Sequence, residues 1–231
     1  MKRKAGNIDY VLVQAVRNSI RLSVNESGSV RVYAPKTMRL RDIDAFVLAH
    51  RADVQEMSRR VQQRNAAFEA GHPLEDGAQL LVLGQSVTLR VAKSARHSAR
   101  FSGNELLLFA PDTDRAALRA LIRKALSEVQ LKEIRRLIAI HAPALGVQPG
   151  RIAIREQRSR WGSCSDRGNL NFNWKLMLAP PEALEYVVIH ELCHLIEFNH
   201  SAKFWRLVAG RMPEYEQPKK WLKLNGAKLN I

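Results

Sequence analysis

A chain of 231 residues that is 46% hydrophobic and 26% charged is long enough to bury one large core or two smaller ones, and its composition is that of a soluble globular protein. Its 37 Lys and Arg against 22 Asp and Glu leave a net charge of +15, spread over both halves, which points to an anionic partner such as nucleic acid, a polyphosphate or an acidic surface. No apolar run reaches membrane-spanning length, and the two cysteines, Cys164 and Cys193, form neither a disulfide framework nor a C-x-x-C pair, which excludes a helical membrane protein and a disulfide-stapled scaffold.

The start, Met1-Lys2-Arg3-Lys4, imitates the basic end of a signal peptide, but Asp9 and Gln14 interrupt the short apolar stretch and no small-residue cleavage pattern follows; a cytoplasmic protein is expected. Ile20, Leu22 and Val24 alternate with polar residues, Glu26-Ser27-Gly28 makes a turn, and Val30, Val32 and Ala34 lead to Pro35, a pair of strands. Ile43, Phe46, Val47, Val54, Met57 and Val61 recur at helical spacing, which predicts a helix from about Leu40 to Phe68, broken by Gly71-His72-Pro73. Strands resume at Gln79–Leu83 and Ser86–Val91 about a Gly84-Gln85 turn, then at Ala99–Phe101 and Leu106–Phe109. Tyr33-Ala34-Pro35-Lys36-Thr37 recurs in form as Phe109-Ala110-Pro111-Asp112-Thr113, which reads as one local solution used twice, a strand end opening a helix, rather than a repeat. Leu118, Leu121, Ile122, Leu126, Val129 and Ile134 predict a long helix from Thr113 to about His141, closed by Pro143 and Gly146.

Ile152–Glu156 reads as a strand, Trp161-Gly162 as a turn, and Leu170, Phe172 and Trp174 alternate with asparagines as a second strand. An extended substrate can pair through its backbone with a strand, and Asn169–Asn173 is the candidate for that strand. Pro180-Pro181 can open a helix, Glu182 and Glu185 suit its positive end, and Leu184, Val187, Val188, Leu195 and Ile196 give it an apolar side.

On that helix stands His190-Glu191-Leu192-Cys193-His194. Residues four apart share a face, so His190 and His194 can offer imidazole nitrogens to one zinc ion while Glu191 projects beside them as a general base. Three protein ligands leave a fourth tetrahedral position for water, which separates a catalytic zinc from the closed structural kind. His200, six residues after His194, has the offset of the metzincin third ligand, with Glu197 where that pattern has glycine; Asn199 tolerates left-handed backbone and could end the helix instead. Glu197, on the same helical face, and the distant Glu214 are the rivals for this third position. His50, His72, His97 and His141 are scattered singly and read as surface or packing residues.

Arg158-Ser159-Arg160-Trp161-Gly162-Ser163-Cys164, Asn171-Phe172-Asn173-Trp174-Lys175-Leu176, Ala179-Pro180, the histidine motif, and Asn199-His200-Ser201 with Phe204-Trp205 together resemble the signature of the YgjP-like zinc metallopeptidase domain family, itself similar to the WLM and SprT-like zinc proteases. The resemblance covers nearly the whole chain and is strongest from about Arg151 to Trp221. It implies His190, His194 and His200 as the ligands of one zinc ion per chain, Glu191 as general base, and a metallopeptidase activity with no particular substrate.

The expected fold is α+β: a β-rich N-terminal region over residues 1–112 with one long helix, and a zinc metallohydrolase domain over 113–231, zincin-like and helical with a short antiparallel sheet beside the zinc helix. Arg155, Arg158 and Arg160 flank that sheet, and Arg160 is the candidate for a cation placed where negative charge develops in the transition state. If these arginines face the metal, a second chemistry fits: a metal-dependent nucleotide phosphohydrolase, a nucleoside triphosphate pyrophosphatase, using the same water and base. A third reading is a nucleic-acid-associated protease or binding module that docks through the basic surface. The expected partners are therefore a peptide or protein substrate or a nucleotide, with nucleic acid on the surface and no membrane. Cys193 reads as packing inside the motif and Cys164 as a free thiol in a turn.

Overall fold

The first 15 residues alternate about Gly6-Asn7, and Gly6, at a φ of 57°, adopts the left-handed backbone that a two-residue hairpin turn demands. The start of the chain is therefore a hairpin, β1 (Lys2–Ala5) against β2 (Ile8–Ala15), which the reading of a signal-like start passes over. Strands β3 (Arg21–Val24) and β4 (Val30–Pro35) complete a four-stranded sheet in the order β1-β2-β4-β3, with β2 and β4 parallel and the outer pairs antiparallel. The computed structural model describes all residues except 26, 27, 72, 158, 159 and 230, and describes 64–71 by backbone alone, so the Glu26-Ser27 part of the expected turn lies outside the described residues.

Ile8, Tyr10, Leu12, Val30, Val32 and Ala34 project to one side of this sheet and pack with Ile43 and Val47 of α1 (Leu40–Ala49) and Val54 of α2 (Arg51–Gly71). The single helix expected from Leu40 to Phe68 is thus two: His50 leaves helical geometry at φ −101° and ψ 26°, and its ring Nδ1 lies 2.9 Å from the Phe46 carbonyl. Asp44 accepts from both the Arg3 guanidinium and the Tyr10 hydroxyl at 2.6 Å, pinning α1 to the hairpin.

The second sheet follows the same plan. Strands β5 (Gln79–Val82), β6 (Gln85–Lys93), β7 (Ser98–Ser102) and β8 (Glu105–Ala110) lie in the order β5-β6-β8-β7, again with a parallel central pair and antiparallel outer pairs, and a helix again follows. The Tyr33 and Phe109 segments therefore occupy the same place in two four-stranded sheets of one topology. Their likeness extends well beyond a local strand-to-helix solution. The first turn of this copy is Leu83-Gly84, both with positive φ, one residue earlier than expected.

Asp114 caps α3 (Arg115–Leu145) by accepting from the Ala117 amide at 2.7 Å, and Gly146 at φ 65° ends it. Pro143 is tolerated in the last turn of α3, and Gly146 alone closes the helix. One buried side of α3 lies on the second sheet and the other on α4 (Pro181–Cys193), with Leu118, Ile122, Leu126 and Ile134 fully buried. Beside them a three-stranded sheet forms from β9 (Ile152–Arg155), β10 (Gly162–Cys164) and β11 (Leu170–Asn173), in the order β10-β11-β9. It is mixed rather than antiparallel: β10 runs antiparallel to β11, and β9 runs parallel to it. Trp174 begins a 3-10 helix (Trp174–Leu178) instead of extending the strand, and α5 (Ala202–Arg211) and α6 (Glu216–Asn225) follow α4.

These elements fall into two compact units, Met1–Pro73 and Leu74–Ile231, each with its own hydrophobic core. The division comes after Pro73 rather than at 112/113 because Leu80, Leu89, Leu106 and Leu108 of the second sheet share one core with α3 and α4. Among the described residues, no helix is long and apolar enough to cross a membrane.

Candidate metal centre

Helix α4 starts with Pro181 at its first position and is buried on nearly every side, with Val188, Ile189, Leu192 and Cys193 fully covered. Its last turn carries His190 and ends at His194. The chain then leaves through tight turns, the Ile196 and Glu197 amides both donating to the Cys193 carbonyl at 3.0 Å. Asn199 is not left-handed, because Leu83 is the only non-glycine with positive φ among the described residues; the reversal is made with ordinary right-handed and extended backbone. It returns His200 to the helix end, where Ser201 caps α5 by accepting from the Phe204 amide.

As a result the Nε2 atoms of His194 and His200 lie 3.2 and 3.0 Å from the Nε2 of His190, and the three rings could hold a metal ion. Two nitrogens each about 2.0–2.1 Å from a tetrahedral zinc stand about 3.3 Å apart, so the donor set has the spacing such an ion requires. Burial, with His194, His200 and Lys219 nearby, pushes the His190 imidazole down to about 3, which leaves its ring neutral. His194 Nδ1 lies 3.1 Å from the Glu197 carbonyl, so the ring proton sits on Nδ1 and the Nε2 lone pair faces its partners. The rivals for the third position are engaged elsewhere: the Glu197 carboxylate reaches toward Lys203 at 3.6 Å, and Glu214 accepts from Gln217 at 2.9 Å.

Phe204, fully buried, is the floor of the cluster, its ring centroid 4.6–4.8 Å from all three imidazoles. Trp205 stacks on His200 at 5.7 Å, Tyr215 stacks on Trp205 at 5.3 Å, and Lys219 Nζ lies 4.0 Å from the Trp205 centroid. Helical periodicity in α5 marks Phe204 as apolar and inward, but nothing local says that histidines lie above it.

Glu191 is 5% exposed, and burial pushes its carboxyl up to about 8 against the opposing charge of Arg160. It lines the same cavity of about 440 Å³ as the three histidines, Tyr186, Arg160 and β10. Its carboxylate lies directly against Gly162: a Cβ built there would stand 2.5 Å from Glu191 Oε1 and 2.7 Å from Cγ. Gly162 is therefore glycine for space. Of the three arginines singled out in sequence, Arg160 lines the cavity, Arg155 ends β9 on the far side of β11, and Arg158 lies outside the described residues.

A buried polar tether sets the loop that carries Arg160. Gln130 of α3 donates to the Asn173 carbonyl at 2.8 Å, and Asn173 Nδ2 donates to the carbonyls of Gln157 at 2.7 Å and Arg160 at 3.1 Å. The same sheet corrects the expected substrate strand. Asn169–Asn173 spans β11, which is central and paired on both sides, so its backbone has no group left for a substrate. The open edge is β10. The Asn173 amide donates to the Trp161 carbonyl and the Ser165 amide to the Asn169 carbonyl, so residues 161, 163 and 165 face β11 and the amides and carbonyls of Gly162 and Cys164 face the edge that borders the cavity.

Cys164 and Cys193 are both free; burial pushes each thiol up to about 11, which leaves neither as a thiolate nucleophile. His141 is buried, with Arg211 donating to Nδ1 at 3.1 Å and Nε2 donating to Glu185 at 2.9 Å, and so ties α3 to α4 and α5 as a packing residue. His97 is exposed, and His72 lies outside the described residues.

Comparison with curated proteins finds no match, and neither does comparison with solved structures. Residues 18–225 match the family described as YgjP-like, metallopeptidase domain. That span takes in β3 and β4 of the first sheet, the whole second sheet, the three-stranded sheet and the histidine cluster, and the chain belongs to this metallopeptidase-domain family.

Proposed function

We propose that the protein is a zinc-dependent peptidase in which His190, His194 and His200 hold the ion, Glu191 is the general base, and Arg160 steadies developing negative charge. The observation that carries this reading is the convergence of the His194 and His200 Nε2 atoms within 3.2 Å of the His190 Nε2, beside a buried carboxylate and an open strand edge in one cavity. A zinc ion there would supply an acidified water and polarise the scissile carbonyl. The Glu191 carboxylate takes a proton from the attacking water and returns it to the leaving amine. Gly162 and Cys164 offer amides and carbonyls to an extended peptide, which gives affinity with little dependence on sequence. Arg160, at the cavity wall, lies close enough to Glu191 for its charge to be felt there, and so close to the reacting carbonyl.

An open β-edge recognises a peptide backbone, whereas a triphosphate needs several cations; among the described residues the cavity lining holds one arginine, Arg160. This favours peptide over nucleotide chemistry. The test is hydrolysis of an unfolded protein by zinc-loaded enzyme, with nucleoside triphosphates offered in parallel and Glu191→Gln as control. Loss of turnover in the variant with full zinc content supports the assignment. Hydrolysis of a triphosphate and of no protein would overturn it.

A further inference from the structure

One face of the first sheet carries a cluster of cations. Alternation along the strands turns Ile8, Tyr10, Leu12 and Val32 toward α1 and α2, and so turns the intervening residues to the other side. That side carries Lys2, Lys4, Arg21 and Arg31, with Tyr33 between Val13 and Arg21 in the register of the strands. Arg17 adds a fifth cation, its guanidinium 5.9 Å from the Tyr33 ring centroid. Lys2, Lys4 and Arg21 are exposed. Among the described residues, Asp9 is the one carboxylate on this face, and none of the five cations has an ion-pair partner.

The second sheet, of the same topology, shows that the fold does not require this arrangement. It keeps an aromatic ring at the same place, Phe109 with Arg100 at 6.0 Å, but Arg90 on its outer face is bonded to Glu105 at 2.8 Å. Arg100 has no ion pair among the described residues either, so the second sheet leaves one outward cation unpaired where the first leaves a cluster of them. Neighbouring side chains on a sheet face stand about 5 Å apart across strands and about 7 Å apart along them, so these cations form a lattice around one ring. Such a lattice matches a polymer whose charges and rings both repeat, whereas a lipid surface offers the charges alone. A duplex would keep its bases from the ring, and an unpaired strand would not.

We propose that the outer face of the first sheet, Lys2, Lys4, Arg17, Arg21 and Arg31 around Tyr33, binds single-stranded nucleic acid, the cations holding phosphates and the tyrosine stacking a base. This surface is independent of the hydrolase reading, since it uses no residue of the histidine cluster.

The test is fluorescence anisotropy of the full chain with labelled oligothymidylate and oligouridylate across a salt series, with phosphatidylserine vesicles as a separate arm. Five phosphate contacts give a slope of log K against log salt of about −3.5, and the variant Lys2→Ala/Lys4→Ala/Arg21→Ala brings it to about −1.4. Tyr33→Ala weakens binding by about tenfold, and Tyr33→Phe, which keeps the ring, does not. The exposed triple variant carries the test if Tyr33→Ala melts early. An unchanged slope in the triple variant overturns the proposal, as does binding to vesicles with no binding to either oligonucleotide. A preference for the uridylate over the thymidylate supports it and identifies RNA as the source of the strand.

Discussion

Replacing Gly162 by alanine probes Glu191, the proposed general base, without substituting it. The φ of Gly162 lies outside the left-handed region, so alanine fits the backbone and, by restricting the unfolded chain, would by itself add about 0.4–1 kcal/mol of stability. Against this, the new Cβ stands 2.5 Å from Glu191 Oε1, 2.7 Å from Cγ and 2.8 Å from Cδ, about 1 Å inside ordinary contact. Glu191 is almost wholly buried and cannot swing to solvent, so overpacking should cost about 1–3 kcal/mol and reverse the sign. A carboxylate displaced by about 1 Å should also lose roughly a hundredfold in kcat, about 2.7 kcal/mol in the barrier, with zinc retained because the three histidines are untouched. Chemical denaturation, metal analysis and turnover of an unfolded protein read these out together. Glu191→Ala removes every clashing atom, so in that background Gly162→Ala should become neutral or stabilising, a strongly non-additive pair. Equal effects of Gly162→Ala in both backgrounds, or full activity of the single variant, would refute the close approach as the reason for the glycine.

His200→Ala should strip most of the zinc measured by elemental analysis, while Glu197→Ala, whose carboxylate reaches toward Lys203, should keep it. Asn173→Ala leaves the Gln157 and Arg160 carbonyls without their donor and should lower stability by about 1–3 kcal/mol and raise KM more than it changes metal content, seen by melting and kinetics. Burial opposes ionisation of Glu156, but Arg119 and Arg123 outweigh it and hold the carboxyl at about 2, against 4.5 unfolded. A depressed carboxyl contributes its stability above the unfolded value and loses it as pH falls toward 2; because these side chains are partly solvated, the contribution should be about 1 kcal/mol. Denaturation of wild type and Glu156→Gln should therefore differ at pH 7 and converge as pH falls from 4.5 to 2.

Everything local about the histidine cluster was legible in the chain. A four-residue spacing on a proline-started helix brings His190 and His194 to one face whatever surrounds them, and the tandem alternation about Gly84 and the run from Leu118 to Ile134 signal their elements through periods of two and 3.6. His200 could be read from its offset, although the turn that returns it uses neither a glycine nor a left-handed Asn199. What the sequence left open is whatever depends on residues distant in the chain. Alternation says that Leu170 and Phe172 are in a strand with one buried side, yet strand order is set by which backbones pair, and only the folded sheet makes β11 central and β10 the open edge. Trp161-Gly162 reads as a turn because the need for a glycine there comes from Glu191, 29 residues on and pressed against it from another element. The boundary after Pro73 was hidden for the same reason: two sheets of one topology look alike in sequence, and only tertiary packing commits the second to the core of α3 and α4 and leaves the first with a core of its own.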